Sequence, residues 1–283
     1  MKKIQLEDRT IIDSYLQQYK ILASELSFTN LYAWRNHYNF HYIIIENFLW
    51  IINIKDDNYY LSQPIGDYNN LDDLTASIIN MKIFLKGRPF YIKKADCRFI
   101  DVMKLLNFTF RYSGIRDDYD YIYDFEKMKT LSGNKFHKKK NHVNQFKRKY
   151  NWRFISLDAG NYRETYNVIE DWFEKEEPEK AAIFDVYKAW ESLNLSGGIM
   201  YVDEKPVAFI IGESLSPDTL VIHFEKAISN YHGIYQAIFY EYLQDKTFKT
   251  INREQDLGIP GLRKSKLSYH PIGFVEKYNV WIG

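Results

Sequence analysis

The spacing of apolar residues divides the chain into alternating helices and strands. Apolar residues three or four positions apart predict helices, whereas alternating or short continuous apolar runs predict strands. In the first half this pattern predicts helices over 8–20, 28–38, 71–85 and 96–106, and strands over 40–46, 48–55, 58–63, 90–93 and 108–112. In the second half it predicts strands over 119–125, 152–156, 198–202, 206–214, 219–226, 249–252 and 272–282. In that half one helix is predicted to begin near 132. Four more are predicted over 161–176, 180–194, 233–245 and 260–268.

The two halves share one order of elements. Each places three successive antiparallel strands before a crossover helix, which indicates an architectural repeat without visible residue-level similarity. The expected fold class is α/β with mixed sheets, organised as two related domains over residues 1–130 and 131–283.

Composition supports a folded, water-soluble chain. Of 283 residues, 46% are hydrophobic, including 24 Tyr and 19 Phe, which is enough to form a sizeable core. The most hydrophobic run, 41–54, is interrupted by Glu46 and Asn47 and is shorter than the roughly 20 residues of a membrane span, so it predicts a hairpin. No transmembrane segment or secretory signal is expected. The single cysteine, Cys97, excludes an internal disulfide; we expect it to be buried and the protein to be cytoplasmic.

Charge is unevenly distributed although the totals balance, with 38 Lys and Arg against 37 Asp and Glu. The segment 132–150, SGNKFHKKKNHVNQFKRKY, carries seven of the basic residues and two His but no acid. The stretch 158–191 reverses this with ten acids against four bases. Four interpretations are open: a nucleic-acid-binding arm, a solvated helix face, one wall of an anion site, or two helical segments of opposite charge that attract each other.

The basic segment is an amphipathic helix. Its apolar stripe consists of Phe136, Val143, Phe146 and Tyr150. The polar residues along one edge of that stripe are candidate binding residues: Lys140, Asn144 and Lys147. The outward face carries Lys138, Arg148 and Lys149, and a nucleic acid would contact these. An arm that only coats nucleic acid would not need the apolar stripe.

Several familiar sites are absent from the sequence. It contains no GxGxxG, GxxxxGK[ST] or GxSxG motif, which argues against the common nucleotide-binding and serine-hydrolase sites. It also contains no HxH or HExxH pair and no second cysteine, so no metal site is predicted.

Candidate chemistry lies at the end of the predicted strand 219–226. Alternation places His223 and Glu225 on one face near the carboxyl end of the strand, where α/β sheets build their sites. The following turn, Asn230 to Gly233, leads into a helix whose free N–H groups could receive an anion. The alternative is that these are strand-end surface charges and an ordinary turn glycine.

A second candidate lies in the segment INREQDLGIPGLRKSKLSYHP, 251–271. Its charges flank a Gly-Ile-Pro-Gly turn, in which Pro260 suits the first turn of a helix. Arg263 and Lys266 are three residues apart, so they share a helix face and could bind a phosphate or carboxylate. The alternative is a solvated helix with internal ion pairs.

These segments together resemble the DUF2156 family, whose members are similar to the carboxy-terminal catalytic domain of phosphatidylglycerol lysyltransferase. The matching motifs are GNKFHKKKNHVNQFKRKY, IHFEKA followed by HGIYQAI, NREQDLGIPGLRKSKLSYHP and, in the first half, FTNLYAWR. The resemblance implies two tandem acetyltransferase-like (GNAT) domains and an acyl- or aminoacyltransferase. It also implies an anionic donor, either acyl-CoA or the 3′ end of an aminoacyl-tRNA, with no tightly bound cofactor, and peripheral contact with a phospholipid acceptor. The loop NYHGIYQ has one glycine where acetyl-CoA enzymes are commonly glycine-rich, which leaves room for the tRNA donor.

The resemblance also implies roles for particular residues. Glu225 is expected to act as general base or to bind a donor α-amine, assisted by His223, and Asp256 could bind the amine equally well. The residues expected to bind substrate are Asn230, Gly233, Tyr235, Gln236, Asn252, Arg253, Gly258, Arg263 and Lys266, with Lys140, Asn144 and Lys147 from the basic helix.

Overall fold

The computed structural model describes residues 1–20, 22–172 and 178–283. The chain forms two compact units. The first comprises Met1–Asp120, Gln255–Gly258 and Val275–Gly283, and the second comprises Tyr121–Glu254 and Ile259–Phe274. The chain changes unit at Asp120, and two later segments belong to the first unit. The division into domains 1–130 and 131–283 stays a prediction.

The first unit is built on a mixed sheet with the strand order β1-β2-β3-β4-β5-β14-β6. Its strands are β1 (Lys2–Lys3), β2 (Phe40–Ile45), β3 (Phe48–Lys55), β4 (Asn58–Leu61), β5 (Phe90–Ala95), β6 (Phe110–Gly114) and β14 (Tyr278–Ile282). Its helices are α1 (Arg9–Tyr19), α2 (Phe28–Ala33), α3 (Leu71–Leu85) and α4 (Cys97–Leu105). The predicted 41–54 hairpin is confirmed, and both turn residues, Glu46 and Asn47, have positive φ.

The second unit has the strand order β13-β7-β12-β11-β10-β9-β8. Its strands are β7 (Asp120–Asp124), β8 (Trp152–Leu157), β9 (Ser196–Val202), β10 (Lys205–Ser216), β11 (Thr219–Ala227), β12 (Thr250–Asn252) and β13 (Gly273–Val275). Its helices are α5 (Phe125–Thr130), α6 (His137–Lys149), α7 (Tyr166–Trp172), α8 (Pro178–Lys188), α9 (Ile234–Leu243) and α10 (Pro260–Leu267). The expectation of an α/β chain with two mixed sheets is therefore confirmed.

The predicted strand 272–282 is wrong as a single element. β13 pairs at the edge of the second unit's sheet, whereas β14 inserts between β5 and β6 of the first. Lys277 lies at the break, and its fully buried ammonium binds the carboxylates of Asp120 and Glu25. In the sequence the two adjacent charges Glu276 and Lys277 interrupt the apolar residues at this break.

The basic helix starts later than the sequence indicates. α6 begins at His137, after a short 3₁₀ turn over Asn134–Phe136, and the separate helix α5 was not predicted. The apolar stripe of the basic helix packs with α9 against one face of the sheet, and its residues Phe136, Val143 and Phe146 are buried.

Three further expectations have different outcomes. Part of the predicted 161–176 helix, residues 173–176, lies outside the described residues, and α7 accounts for the described part only to Trp172. Cys97, which we expected to be buried, is exposed at the start of α4. Within the described ranges, we find no helix with the length and apolar character needed to cross a bilayer.

Candidate functional site

Strands β11 and β12 separate soon after they meet. Their parallel pairing covers three residue pairs and ends at Val221 with Asn252. Beyond this point β11 continues to Ala227, and side chains connect it to the residues that follow β12. The separation lies within the second unit and gathers charged groups around one end of its sheet.

A β-bulge at His223 changes which side chains share a face. Ile211 pairs with Phe224 but Gly212 pairs with Ile222, so His223 is an extra residue in β11. Beyond the bulge Glu225 is paired with Ile210, which belongs to the same core as Ile222. The prediction that alternation places His223 and Glu225 on one face is therefore wrong.

His223 is held between two carboxylates. Its Nε2 lies 2.9 Å from Glu213 and its Nδ1 lies 2.9 Å from Glu254. Burial of the ring disfavours its charged form, but the two carboxylate hydrogen bonds outweigh burial and raise the pKa of His223 to about 9. A protonated imidazole that donates to both carboxylates ties β10, β11 and the segment after β12 together. This geometry makes His223 a positioning group.

Glu225 forms the second connection across the separation. The Arg253 guanidinium donates to its Oε2 at 2.5 Å, and both side chains are largely buried. Arg253 also stacks over the rings of Phe239 and Tyr269, at 4.2 and 4.9 Å from their centroids. Among the described residues no hydrogen bond or ion pair engages Oε1 of Glu225, so this carboxylate oxygen can accept a hydrogen bond from a ligand.

Lys139 is the residue of this cluster that the sequence analysis missed. It is half-buried in α6, and its ammonium lies 3.9 Å from the centroid of the Tyr269 ring. The pKa of Lys139 falls to about 8 because burial disfavours its charged form; Arg253 lowers it further, and Glu225 partly opposes the change. A signal was present in the sequence, because Lys139 lies three residues after Phe136 and four before Val143, on the apolar stripe itself.

The predicted anion-binding turn leads into α9 as expected. Gly233 is the N-cap of α9 and has a φ of +85°. Tyr235 and Gln236 lie in the first turn of the helix, and Asn230, in the turn that precedes it, is exposed. Gln236 interacts with the hydroxyl of Tyr269, while the hydroxyl of Tyr235 donates to the carbonyl of Ala227 at 3.5 Å. The structure thus brings Gln236 next to the Lys139 and Arg253 cluster through Tyr269.

Substituting Gly233 with Ala is expected to lower the free energy of unfolding by about 1–3 kcal/mol. A Cβ at this position would lie 2.6 Å from the carbonyl oxygen of His142 in α6, and φ is positive. Chemical denaturation measures the effect. The matched control is Gly261→Ala, where a Cβ meets nothing within 4 Å. Equal losses of free energy for both variants would show that the close approach of α6 does not require a glycine at position 233.

The α10 residues take different positions. Lys266 is buried, and its ammonium binds the carbonyl oxygens of Arg253 and Glu254, so it supports the backbone of the cluster and does not share an exposed cationic face with Arg263. Arg263 is only partly buried in the same helix. Asn252 is fully buried, and its side chain accepts a hydrogen bond from the backbone N–H of Glu254 at 2.8 Å.

The other predicted α6 residues are less central. Lys147 forms an ion pair with Glu241 of α9, whereas Lys140 and Asn144 are exposed. The outward cations Arg148 and Lys149 line an open recess of ≈ 350 Å³ together with Gln145 and His232. Lys138 is exposed as predicted.

Asp256 and Gly258 belong to the first unit. The buried Asp256 carboxylate accepts from the Gly258 N–H at 2.9 Å and lies 3.5 Å from Arg116. Gly258 has positive φ, and a Cβ there would meet the Asp117 carboxylate. Local contacts in that unit account for the positions of both residues.

Comparison with known proteins identifies related chains. The family model described as "Phosphatidylglycerol lysyltransferase, C-terminal" matches residues 16–281. An uncharacterised protein from Mycoplasmoides gallisepticum is 26% identical over 176 residues, which is 57% of this chain and 55% of that protein. The match therefore spans about half the length of that curated relative.

Solved structures show the same fold. A crystal structure of a conserved protein of unknown function from Bacteroides thetaiotaomicron is 30% identical, with a TM-score of 0.92 and coverage of 100% of this chain and 99% of that one. A C-terminal DUF2156 domain from Agrobacterium fabrum is 14% identical with a TM-score of 0.69, covering 98% and 90%. At 14% identity, the similarity to the Agrobacterium fabrum domain shows a shared fold only.

Proposed function

Because the chain belongs to the phosphatidylglycerol lysyltransferase C-terminal family, we propose that it is an acyl- or aminoacyltransferase with a tandem GNAT-like fold. It moves an activated acyl group from an anionic donor, either an aminoacyl-tRNA or an acyl-CoA, to an amine or hydroxyl acceptor. The family's description favours an aminoacyl donor and a phospholipid acceptor.

The observation that carries this proposal is the charged cluster where β11 and β12 separate. Glu225, Arg253 and Lys139 lie together there, supported by the rings of Tyr269 and Phe239. Burying ionisable groups is costly, and proteins concentrate such groups with shifted pKa values at functional sites. A folding role alone gives no reason to place the half-buried lysine next to a paired arginine.

The cluster has the groups that acyl transfer needs. Acyl transfer is accelerated by orienting the two reactants and by stabilising the oxyanion that forms on the donor carbonyl. Arg253 supplies fixed positive charge for an anionic group, and Oε1 of Glu225 can accept a hydrogen bond from the α-amine of an aminoacyl donor. Gln236 and the N–H groups at the start of α9 lie on the same side of the sheet and can receive donor phosphate.

The test of the proposed function uses the purified chain with phosphatidylglycerol vesicles and three radiolabelled donors: lysyl-tRNA, alanyl-tRNA and acetyl-CoA. Transfer of label to lipid is expected with an aminoacyl-tRNA. Glu225→Gln should lower kcat/KM by roughly 10- to 100-fold, because a charge-assisted hydrogen bond contributes about 1.5–3 kcal/mol. The control is Glu204→Gln, which alters an exposed Arg153 pair. Absence of transfer from every donor to lipid or to added amines would refute the proposal.

A second candidate function is non-catalytic binding of tRNA or another nucleic acid. The exposed cations Lys138, Arg148 and Lys149 and the recess beside His232 favour it. Such binding weakens steeply with salt, and each lost phosphate contact lowers the slope of log K against log salt by about 0.9 for duplex nucleic acid. Replacing all three cations with Gln should therefore flatten the salt dependence of RNA binding; an unchanged slope would exclude this surface.

A further inference from the structure

Lys139 occupies an unusual position for a lysine in a basic helix. It lies on the apolar stripe of α6 and points at the face of Tyr269, with its ammonium 3.9 Å from the ring centroid. Within the part of the chain that the structure describes, no carboxylate or carbonyl accepts a hydrogen bond from it. Its neighbours Lys138 and Lys140 are exposed to solvent. Lys139 is therefore a half-buried amine whose hydrogen-bonding capacity is unused.

The charged and titratable groups around Lys139 come from several elements. Arg253 follows β12, Glu225 lies on β11, Tyr269 follows α10, and His142 is on α6 itself. Burial, reinforced by Arg253, favours the neutral amine, and the Glu225 charge opposes this only in part because Arg253 already binds that carboxylate. The result is a lysine with a pKa of about 8, in place of the ordinary 10.5.

The other ionisable groups of the cluster already have partners. The Glu225 carboxylate binds Arg253, the His223 ring is held between Glu213 and Glu254, and the Lys266 ammonium binds main-chain carbonyls. A proton gained by Glu225, or lost by His223 or Lys266, would break a buried contact. Lys139 can gain or lose a proton without breaking any described hydrogen bond.

We propose that Lys139 is the general base that deprotonates the acceptor, an assignment that rests on the proposed acyl-transfer function. The acceptor nitrogen or oxygen forms a bond to the donor's carbonyl carbon, and the carbonyl electron pair moves to its oxygen. The lone pair of Lys139 Nζ takes the proton that the acceptor loses. When the tetrahedral intermediate collapses, the bond to the donor's leaving oxygen, or sulfur in a thioester, breaks and Lys139 returns the proton to that atom. Glu225 keeps the separate role of binding the donor.

Two substitutions separate a base from a fixed cation. Lys139→Met keeps the apolar stem and should fold, whereas Lys139→Arg keeps the positive charge but cannot lose its proton near neutral pH. General-base catalysis typically contributes 10²- to 10⁴-fold, so both variants should transfer label from lysyl-tRNA at least about 100-fold more slowly than the wild type. Lys135→Met, an exposed position that precedes α6, is the matched control and should keep full activity.

The pH profile gives an independent readout. Because the base must be neutral, the wild-type rate should rise with pH and reach a plateau above about pH 8, the pKa of Lys139. Trace acetylation of the free protein with acetic anhydride, read by mass spectrometry, should show half-maximal labelling of Lys139 near the same pH. This measurement needs no substrate.

Each result decides the proposal. A labelling midpoint near 10.5, or a Lys139→Arg variant that keeps most of the wild-type rate, would overturn the base role while leaving acyl transfer intact. If the wild type transfers nothing from lysyl-tRNA, alanyl-tRNA or acetyl-CoA, the proposed function fails and the base role fails with it. Loss of activity in both variants, with the midpoint near 8, supports Lys139 as the base.

Discussion

Replacing Arg253 with Met is expected to lower the free energy of unfolding by about 3–5 kcal/mol. The Glu225 carboxylate is largely buried, and Arg253 is its described partner at 2.5 Å. Methionine fills much of the apolar volume beside Phe239 and Tyr269 but leaves that charge without compensation. Urea denaturation of the wild type and the variant measures the loss.

Two comparisons show whether the buried pair is the cause. Arg153→Met removes an arginine that also pairs with a glutamate, Glu204, at 3.1 Å, but that pair is exposed and should contribute no more than about 1 kcal/mol. Adding Glu225→Gln to Arg253→Met should restore part of the loss, because a neutral amide is less costly to bury than an unpaired carboxylate. An Arg253→Met loss as small as that of Arg153→Met would contradict the assignment of this pair as buried and coupled.

The order of elements could be predicted from the sequence because it depends on local patterns. Residues 40–63 and 198–226 each contain three segments of alternating or continuous apolar residues separated by turn residues, and the structure has strands there. Helix α6 was recognised as packed because its apolar stripe is a property of its own residues. The turn residue Gly233 and Pro260, in the first turn of α10, likewise act through their own backbones.

The site was harder to predict because it depends on pairings between distant segments. The bulge at His223 adds one residue to β11, and one added residue exchanges the faces of every later side chain, so alternation misplaced Glu225. Lys139 was missed for a different reason. In the sequence it is one of seven basic residues in a single run, and only its place on the apolar stripe distinguishes it from the others. The buried ion pair of Lys277 could not be predicted, since its partners Glu25 and Asp120 are over 150 residues away.

The stability of the second unit should depend on pH through His223. Its pKa is about 9 in the folded protein and about 6.5 in the unfolded chain. A folded-state pKa above the unfolded value means that the stabilisation is fully present below about pH 6.5 and is lost as pH rises through 9. The shift corresponds to about 3 kcal/mol, so this much free energy of unfolding should be lost between pH 6 and pH 9.5.

The substitution His223→Gln isolates this contribution from all other titrating groups. Glutamine cannot become charged between Glu213 and Glu254, so the variant should be much less stable than the wild type at pH 6. The gap between their free energies of unfolding should be about 3 kcal/mol smaller at pH 9.5 than at pH 6. Denaturation at both pH values measures the two differences, and His137→Gln, which replaces a histidine at an exposed position, is the control. A His223→Gln difference that is equal at pH 6 and pH 9.5 would show that the imidazole is not held protonated by the two carboxylates. In that case the connection from β10 across β11 to the segment after β12 would be a neutral hydrogen-bonded one, and the geometry around Glu225 and Arg253 would not depend on a charge at His223.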